Sequence, residues 1–244
     1  MANLYRLALI HKTKSLLTFL QDFLALFFPE LCAGCGTNLF TNEQVICTNC
    51  IYHLPVTNFH NDPANRLSKQ LWGRFIFGQA SSFVYFRKGG SVQNIMHQLK
   101  YNNRPEAGFR MGQLYAQALK NSGEWNIPDL IIPVPLHPAK LRKRQYNQSE
   151  CIANGLASVL LIPVISDNLV RIENTETQTK KTRFERYENL AGVFVCRDPG
   201  AFTDKHILIV DDVITTGATL EACSMVLQEF EDVKISIAAI AFSE

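Results

Sequence analysis

From residue 129 onward, short apolar runs alternate with stretches of helical character, which lie at residues 147–160 and 218–231. Five runs have the composition of strands: DLIIPVPL (129–136), IPVI (162–165), GVFV (192–195), HILIVDD (206–212) and KISIAAIAF (234–242). Apolar strands that alternate with helices predict an α/β fold, in which helices cover both faces of a parallel sheet. Ligands bind such sheets at the carboxyl ends of the strands, so we expect the functional site in the loops that follow these runs.

The segment HILIVDDVITTGATL, residues 206–220, joins a strand to two adjacent carboxylates and then to a turn rich in hydroxyl groups and glycine. We expect a helix to begin near Ala218, so that its N-terminus offers backbone N–H groups and a positive dipole end to an anion. Asp211 and Asp212 are hydrogen-bond acceptors, which suit the vicinal hydroxyls of a sugar or a divalent cation. The segment therefore predicts a sugar-phosphate site. The alternative is an ordinary strand–turn–helix with a capping threonine and a surface aspartate pair.

Four of the seven cysteines form two C-x-x-C pairs separated by eleven residues: Cys32, Cys35, Cys47 and Cys50. This spacing lets four thiolates occupy the corners of a tetrahedron and predicts a structural zinc knuckle. Redox chemistry and an iron–sulfur cluster are the alternatives, and His53 is an alternative ligand. An odd, clustered cysteine count fits a reducing compartment, so we expect a cytoplasmic protein.

The other regions of the chain set its domain organisation. Residues 1–28 contain SLLTFLQDFLALFF, which we interpret as an amphipathic helix docked on the body of the protein, with a peripheral membrane or partner contact as the alternative. It is not interpreted as a signal peptide or transmembrane segment, because Asp22 interrupts it and it is too short. Residues 29–54 form the knuckle, residues 51–75 read as a connecting stretch, and residues 76–244 form the main domain, which opens with a strand and two helical stretches. A formal charge of +2 gives no global argument for wrapping nucleic acid.

The motif VDDVITTGAT resembles the phosphoribosyl-pyrophosphate (PRPP) binding motif of type I phosphoribosyltransferases, and residues 29–243 resemble the ComF family of competence-associated proteins. The likeness includes the four-cysteine knuckle, LKYNNRPEAG and PVPLHPAKLRKRQYNQS. It also includes a spaced pattern of single residues: Arg171, Thr175, Gln178, Arg186, Asn189 and Phe194. The resemblance implies a type I phosphoribosyltransferase fold, with a parallel-sheet core flanked by helices and a small hood, and an N-terminal four-cysteine zinc knuckle.

The resemblance also implies a role for each loop. The backbone of Leu136 and His137 would face pyrophosphate, with Arg144 as the foremost ligand in a basic run whose alternative is a solvated helix face. PRPP would further contact the acidic pair and the turn: Asp211, Asp212, Thr215, Thr216, Gly217, Ala218 and Thr219. Residues 171–190 resemble a mobile lid, and its candidates for stabilising the departing pyrophosphate are Arg171, Lys180, Lys181, Arg183 and Arg186. Two positions depart from the family pattern: Lys181 stands where an apolar residue is usual, and Gln145-Tyr146 where a glycine–aromatic pair is usual.

The implied reaction is a displacement at the anomeric carbon of PRPP, with Mg²⁺ bridging pyrophosphate and the ribose hydroxyls. The catalytic residues would be Asp211, Asp212, Arg186 and Lys181, and no protein nucleophile is required, so neither His97 nor His137 is assigned as a base. The sequence thus predicts a PRPP- and Mg²⁺-binding protein that transfers phosphoribosyl to an unidentified acceptor. The alternative is a non-catalytic or PRPP-regulated accessory that binds single-stranded DNA and works with DNA-uptake machinery. The sequence assigns neither the acceptor nor the oligomeric state.

Overall fold

A computed structural model describes residues 29–172 and 193–243 of the chain. Its six strands are β1 (Ala80–Phe86), β2 (Leu130–Pro133), β3 (Leu169–Arg171), β4 (Phe194–Cys196), β5 (His206–Ile214) and β6 (Lys234–Ser243). Four of them form a parallel sheet in the order β1-β6-β5-β2, and β3 and β4 form a separate antiparallel pair. The predicted parallel sheet is confirmed.

Seven α-helices surround the sheet within the described ranges. They are α1 (Thr48–Tyr52), α2 (Arg66–Leu71), α3 (Ser91–Tyr101), α4 (Pro105–Ser122), α5 (Pro138–Arg144), α6 (Gln148–Leu160) and α7 (Ala218–Leu227). None of these helices combines the length and the hydropathy needed to cross a membrane. Most helix positions predicted from the apolar spacing agree with these bounds, although α7 ends four residues before the predicted residue 231.

The two faces of β5 and β6 belong to two hydrophobic cores. Leu208 and Val210 pack with α3, α4, α6 and the cysteine segment, whereas Ile207 and Ile209 pack with α2, α7 and the β3–β4 pair. Side chains alternate between the faces of a strand, so a continuous apolar run fills both cores.

Helices α4 and α6 pack with their backbones in direct contact. A Cβ on Gly112 would overlap the carbonyl oxygen of Ile152, and a Cβ on Gly155 would overlap that of Phe109. These two helices cover the same face of the sheet as α3.

The cysteine segment docks on α3 and on the start of α4. Asn94 donates a hydrogen bond to the carbonyl of Gly34 at 2.8 Å, and Arg104 donates one to the carbonyl of Leu31 at 2.9 Å. Ile46 is 1% exposed and lies in the same core as α3. The small segment therefore shares the hydrophobic core of the main domain.

Two of the five predicted strands do not join the main sheet as expected. In 162–165 only Val164 pairs with the sheet, through a single parallel bridge to Ile131. The run at 192–195 contributes instead to the antiparallel strand β4. Each run has only four residues, too few for composition to specify its pairing partner.

The stretch at 51–75 was predicted to be a connection, but it contains α2. Asn65 caps this helix by accepting a hydrogen bond from Ser68 N, and its amide donates to the carbonyl of Ala80 at the start of β1. Only Leu67 and Leu71 are fully buried in α2, so its periodic signal is short. The division of the chain into residues 1–28, 29–54 and 76–244 stays a prediction, and the helix expected at 1–28 lies outside the described residues.

Candidate functional site

The carboxyl ends of β2 and β5 lie side by side at one edge of the sheet. Pro133 pairs with Val210, and Val134 N donates a hydrogen bond to the carbonyl of Val210 at 2.8 Å. The loop after β2, which contains Leu136 and His137, therefore leaves the sheet next to Asp211. The topology brings together two loops that are about 75 residues apart in the chain.

The acidic pair lies near the carboxyl end of β5 and inside the strand. The strand continues to Ile214 and does not end at the predicted residue 212. Asp211 Oδ1 accepts hydrogen bonds from Ser149 Oγ at 3.2 Å and from the N–H of Asp212 at 2.8 Å. Burial, and then the neighbouring carboxylate of Asp212, raise the pKa of Asp211 to about 7. Two adjacent, largely buried carboxylates repel each other, so a nearby cation stabilises the pair.

Lys100 supplies such a charge. Its Nζ lies 2.8 Å from Asp212 Oδ2, and both side chains are largely buried. Lys100 is in the last turn of α3, on a different element from the acidic pair. Lys100 and Ser149 are not among the predicted site residues, although they lie in the motifs LKYNNRPEAG and PVPLHPAKLRKRQYNQS.

The turn after β5, residues 215–219, could bind an anion, and we call it the cradle. Gly217 adopts φ +76° and is the N-cap of α7, as the expected helix start near Ala218 requires. The N–H of Ala218 donates to Thr216 Oγ1 at 3.4 Å, and Thr215 and Thr216 are exposed. The first N–H groups of a helix have no intrahelical partner, so this end of α7 offers donors and positive potential to a ligand at the edge of the sheet.

The loop after β2 and the basic run that follows it flank the acidic pair. Leu136 and His137 are half-buried, and His137 Nδ1 accepts a hydrogen bond from Ala139 N as the N-cap of α5. Arg144 donates to Gln148 Oε1 at 2.7 Å, and its guanidinium lies 5.4 Å from the centre of the Tyr101 ring. These contacts hold the Arg144 cation beside the end of α3 that carries Lys100.

The four cysteine sulfurs lie within 4.8 Å of one another and could hold a metal ion. Backbone N–H groups point at them: Cys47 N donates to Cys32 Sγ at 3.2 Å, and Cys50 N donates to Cys47 Sγ at 3.4 Å. Burial raises the pKa of Cys47 and Cys50, whereas hydrogen bonds from Thr37 lower the pKa of Cys35 to about 6. A metal ion would therefore have to displace protons from the buried thiols.

His53 is not part of this cysteine group. Its side chain is exposed and its Nδ1 donates to the carbonyl of Asn49 at 2.8 Å. Four sulfurs close a tetrahedral site without it.

Comparison with known proteins identifies the family of this chain. Residues 147–243, which include the acidic pair and the cradle, match the phosphoribosyl transferase domain. Over 224 residues the chain is 31% identical to competence protein F of Haemophilus influenzae, across 88% of this chain and 98% of that protein. The chain belongs to the ComF family.

Two further relatives match most of the chain at lower identity than the Haemophilus protein. The DNA utilization protein YhgH of Escherichia coli K12 is 28% identical over 84% of this chain and 86% of its own length. Competence protein ComFC of Streptococcus pneumoniae is 23% identical over 82% of this chain and 81% of its own length.

Solved structures of phosphoribosyl enzymes are similar at a low level. The glutamine PRPP amidotransferase of B. subtilis has a TM-score of 0.40 and 20% identity, over 58% of this chain and 30% of that chain. The adenine phosphoribosyltransferase of Leishmania tarentolae has a TM-score of 0.37 and 14% identity, over 74% of this chain and 89% of that chain. The likeness at these scores is too loose to assign residues.

The departure from the ComF pattern at Gln145 has a structural consequence. Gln145 ends α5 in the left-handed conformation with φ +67°, which glycine adopts at less cost than any other residue. Tyr146, beside it, donates a hydrogen bond from its hydroxyl to the carbonyl of Leu99 at 2.5 Å. This bond ties Tyr146, two residues after α5, to the end of α3.

Most of the expected lid lies outside the described residues, including Lys181 and Arg186. Arg171, at the end of β3, is described, and its guanidinium lies 5.6 Å from the centre of the Phe194 ring. The roles of the lid residues stay predictions.

Proposed function

We propose that this ComF protein binds PRPP at the carboxyl edge of its parallel sheet. The observation that carries the proposal is the direct succession, along β5 and α7, of a carboxylate pair and an open helix N-terminus. Phosphate suits the helix N-terminus, and the hydroxyls of ribose suit carboxylate acceptors. A sugar phosphate satisfies both within one connection.

The parts of PRPP have a natural order along this edge. Its 5′-phosphate would contact the turn at 215–219, and its 2′ and 3′ hydroxyls would contact Asp211 and Asp212. Its pyrophosphate would extend over Leu136 and His137 toward Arg144, whose planar guanidinium matches phosphate oxygens. Lys100, next to the acidic pair, adds a cation on the pyrophosphate side.

The acidic pair fits Mg²⁺ by its chemistry, because Mg²⁺ prefers carboxylate oxygens and keeps several waters. When bound, Mg²⁺ would supply positive charge that neutralises the pyrophosphate, and Asp211 and Asp212 are the residues that would hold it. Asp211 and Asp212 would orient the ribose, and the cradle would bind the 5′-phosphate. The residues would thus position the anomeric carbon and stabilise charge as the bond to pyrophosphate breaks.

In the transfer reaction, the bond between the anomeric carbon and pyrophosphate breaks and pyrophosphate leaves with the electron pair. A nucleophilic atom of the acceptor forms the new bond to the same carbon and loses its proton. The lid residues Lys181 and Arg186 are proposed to stabilise the leaving pyrophosphate. This mechanism needs no covalent nucleophile from the protein.

Titration calorimetry with PRPP and Mg²⁺ tests the proposal. Replacing both Asp211 and Asp212 with Asn should weaken binding by at least about a hundredfold, because each charged hydrogen bond contributes on the order of 1.5–3 kcal/mol. Asp232→Asn is the matched control, because Asp232 is exposed and precedes β6 at the opposite edge of the sheet. Absence of binding by the wild-type protein, or equal affinity of the double variant, would refute the proposal.

We also propose that the cysteine cluster holds Zn²⁺. A tetrahedral Zn²⁺ with Zn–S bonds of about 2.3 Å has sulfur–sulfur edges of about 3.8 Å. The distance between Cys35 Sγ and Cys47 Sγ is 3.7 Å. Elemental analysis of the purified protein should find about one equivalent of zinc, and a folded, metal-free protein would contradict the assignment. Thiolate ligands persist in a reducing compartment, which supports a cytoplasmic protein.

A second proposal, an accessory role in DNA uptake, is supported by the competence and DNA utilization names of the relatives. Lys140 and Lys143 are exposed on α5, and Tyr101 nearby is 66% exposed. Cations that track phosphates and an aromatic face on which a base stacks are the elements of a single-strand site.

A fluorescence titration with a labelled single-stranded oligonucleotide tests this role. Lys140→Glu with Lys143→Glu should lower the affinity by about tenfold and reduce its dependence on salt. The control is Lys205→Glu with Lys234→Glu, two exposed cations at the amino ends of β5 and β6. Equal losses in both pairs would place the DNA elsewhere.

A further inference from the structure

We infer that Gln70 and Arg74 are positioning residues that hold the phosphate cradle by its carbonyl groups, on the side facing α2. They lie at the end of α2 and just after it, about 140 residues before the cradle in the chain. The inference rests on the proposed sugar-phosphate site and adds to it the residues that give its phosphate-binding turn a single conformation.

The two side chains hold consecutive carbonyl groups of the turn. Gln70 Nε2 donates a hydrogen bond to the carbonyl of Thr215 at 2.6 Å. Arg74 Nη1 donates one to the carbonyl of Thr216. In a planar trans peptide, the C=O of one residue and the N–H of the next point in opposite directions. Holding both carbonyls toward α2 therefore turns the N–H groups of Thr216 and Gly217 away from it, which is the orientation an anion-binding turn needs.

Arg74 has a second contact at the same helix end. Its Nε lies 3.0 Å from Glu221 Oε2, and its Nη2 contacts the same oxygen. Glu221 is in the first turn of α7 and is 5% exposed. An uncompensated carboxylate there would repel a phosphate at the helix N-terminus, so Arg74 also neutralises a charge that opposes the ligand.

The turn is packed against α2 as well as hydrogen-bonded to Gln70 and Arg74. A Cβ on Gly217 would lie 2.5 Å from Leu71 Cδ2 and 3.4 Å from Arg74 Nη1. Leu71 itself is fully buried. The cradle therefore rests on a surface made by residues 70–74, and a displaced turn would lose both its hydrogen bonds and this contact.

The contacts of Gln70 and Arg74 predict which part of the ligand depends on them. They reach the turn at 215–217 and Glu221, whereas the proposed pyrophosphate loop follows β2 and is tied to β5. Loss of either side chain should therefore weaken binding of the 5′-phosphate and leave binding of pyrophosphate unchanged.

Calorimetry with two probes, ribose 5-phosphate and pyrophosphate with Mg²⁺, tests this selectivity. Arg74→Met should lower the affinity for ribose 5-phosphate by about tenfold and change the affinity for pyrophosphate by less than about twofold. Gln70→Leu should act in the same direction with a smaller effect, and it leaves the ion pair of Arg74 intact. Lys69→Met is the control, because Lys69 is an exposed cation of the same helix.

A third variant separates the two roles of Arg74. Adding Glu221→Gln to Arg74→Met should recover part of the lost affinity, since it removes the carboxylate that Arg74 had neutralised. The ¹⁵N NMR signal of Gly217 reports on the turn directly: ribose 5-phosphate should shift it in the wild-type protein and in Lys69→Met, and less in Gln70→Leu.

The outcomes distinguish this inference from the proposed function. A wild-type protein that binds neither probe would refute both. Wild-type binding of ribose 5-phosphate that is unchanged in Arg74→Met and Gln70→Leu would overturn the inference alone. An equal loss of both probes in these variants, with lowered melting temperatures, would also overturn it by showing a general structural role.

Discussion

The cysteine knuckle and the β5–α7 connection are both built around tight backbone turns, but they are stabilised in different ways. Gly36 in the knuckle and Gly217 in the cradle both have positive φ, +75° and +76°. A Cβ on Gly36 would meet no atom within 4 Å, whereas a Cβ on Gly217 would meet Leu71 at 2.5 Å. The knuckle is held at its sulfur atoms, and the cradle is held by the protein packed behind it.

Helix α3 connects these two regions. Asn94, early in the helix, donates to the knuckle carbonyl of Gly34, and Lys100, in its last turn, contacts Asp212. The position of the lysine at the site thus depends on how the helix docks on the knuckle. A cysteine cluster that could hold a metal ion therefore contacts the same helix as the candidate ligand site.

The largest expected effect comes from removing the metal. We predict that Cys47→Ser abolishes zinc binding and loses metal-dependent folding free energy on the order of 10 kcal/mol in the knuckle. Because Ile46 and α3 share one core, the melting temperature of the whole protein should fall, and affinity for PRPP should fall with it. Differential scanning calorimetry and calorimetric titration measure both.

Cys196→Ser is the control for this variant. Cys196 is half-buried outside the knuckle, and its Sγ donates to Asn168 Oδ1, a bond that a serine hydroxyl can keep. If the two variants lost similar stability, the coupling between the metal site and the core would be wrong.

The next largest effect compares the two glycines directly. Gly217→Ala combines the cost of a left-handed alanine, about 1–2 kcal/mol, with overpacking against Leu71, about 1–3 kcal/mol. Gly36→Ala has only the first cost, because nothing lies within 4 Å of the added Cβ. Urea unfolding should rank Gly217→Ala well below Gly36→Ala in stability. The reverse order would show that the cradle is not packed against α2.

A third prediction concerns the acidic pair, where function and stability oppose each other. Asp211 has a pKa of about 7 in the folded protein, and about 3.9 is usual for an unfolded chain. Between these values the folded state binds more protons, so the stability contributed by protonated Asp211 is full below pH 4 and is lost as the pH rises through 7. Asp211→Asn should therefore stabilise the ligand-free protein at pH 8 by on the order of 1–3 kcal/mol, and by much less at pH 5.

Urea unfolding at both pH values measures this difference. Asp232→Asn replaces an exposed carboxylate and should show no such dependence on pH. A gain of Asp211→Asn that is equal at pH 5 and pH 8 would mean that the charge of Asp211 is not opposed by its surroundings.

The parts of the site that the sequence could predict are those that are continuous in the chain. The segment from His206 to Leu220 contains a strand, the acidic pair, the turn and the helix start in one run, so local patterns suffice. Lys100, Gln70 and Arg74 reach the site only through tertiary packing. Nothing in the spacing of α2 indicates which side of the helix faces the cradle, and the short strand-like runs at 162–165 and 192–195 could not specify their partners.

The smallest predicted effect tests the family departure at Gln145. Replacing it with Gly should relieve the left-handed conformation at φ +67° and stabilise the protein by up to about 1 kcal/mol, although the hydrogen bond from Gln145 Nε2 to the carbonyl of Arg142 is lost. Leu161→Gly is the matched control, because Leu161 ends α6 with φ +60° and is 84% exposed. Urea unfolding should show a gain in both variants. If Leu161→Gly is stabilised and Gln145→Gly is destabilised, the amide contact outweighs the backbone strain, and glutamine at this position stabilises the end of α5 beside Arg144.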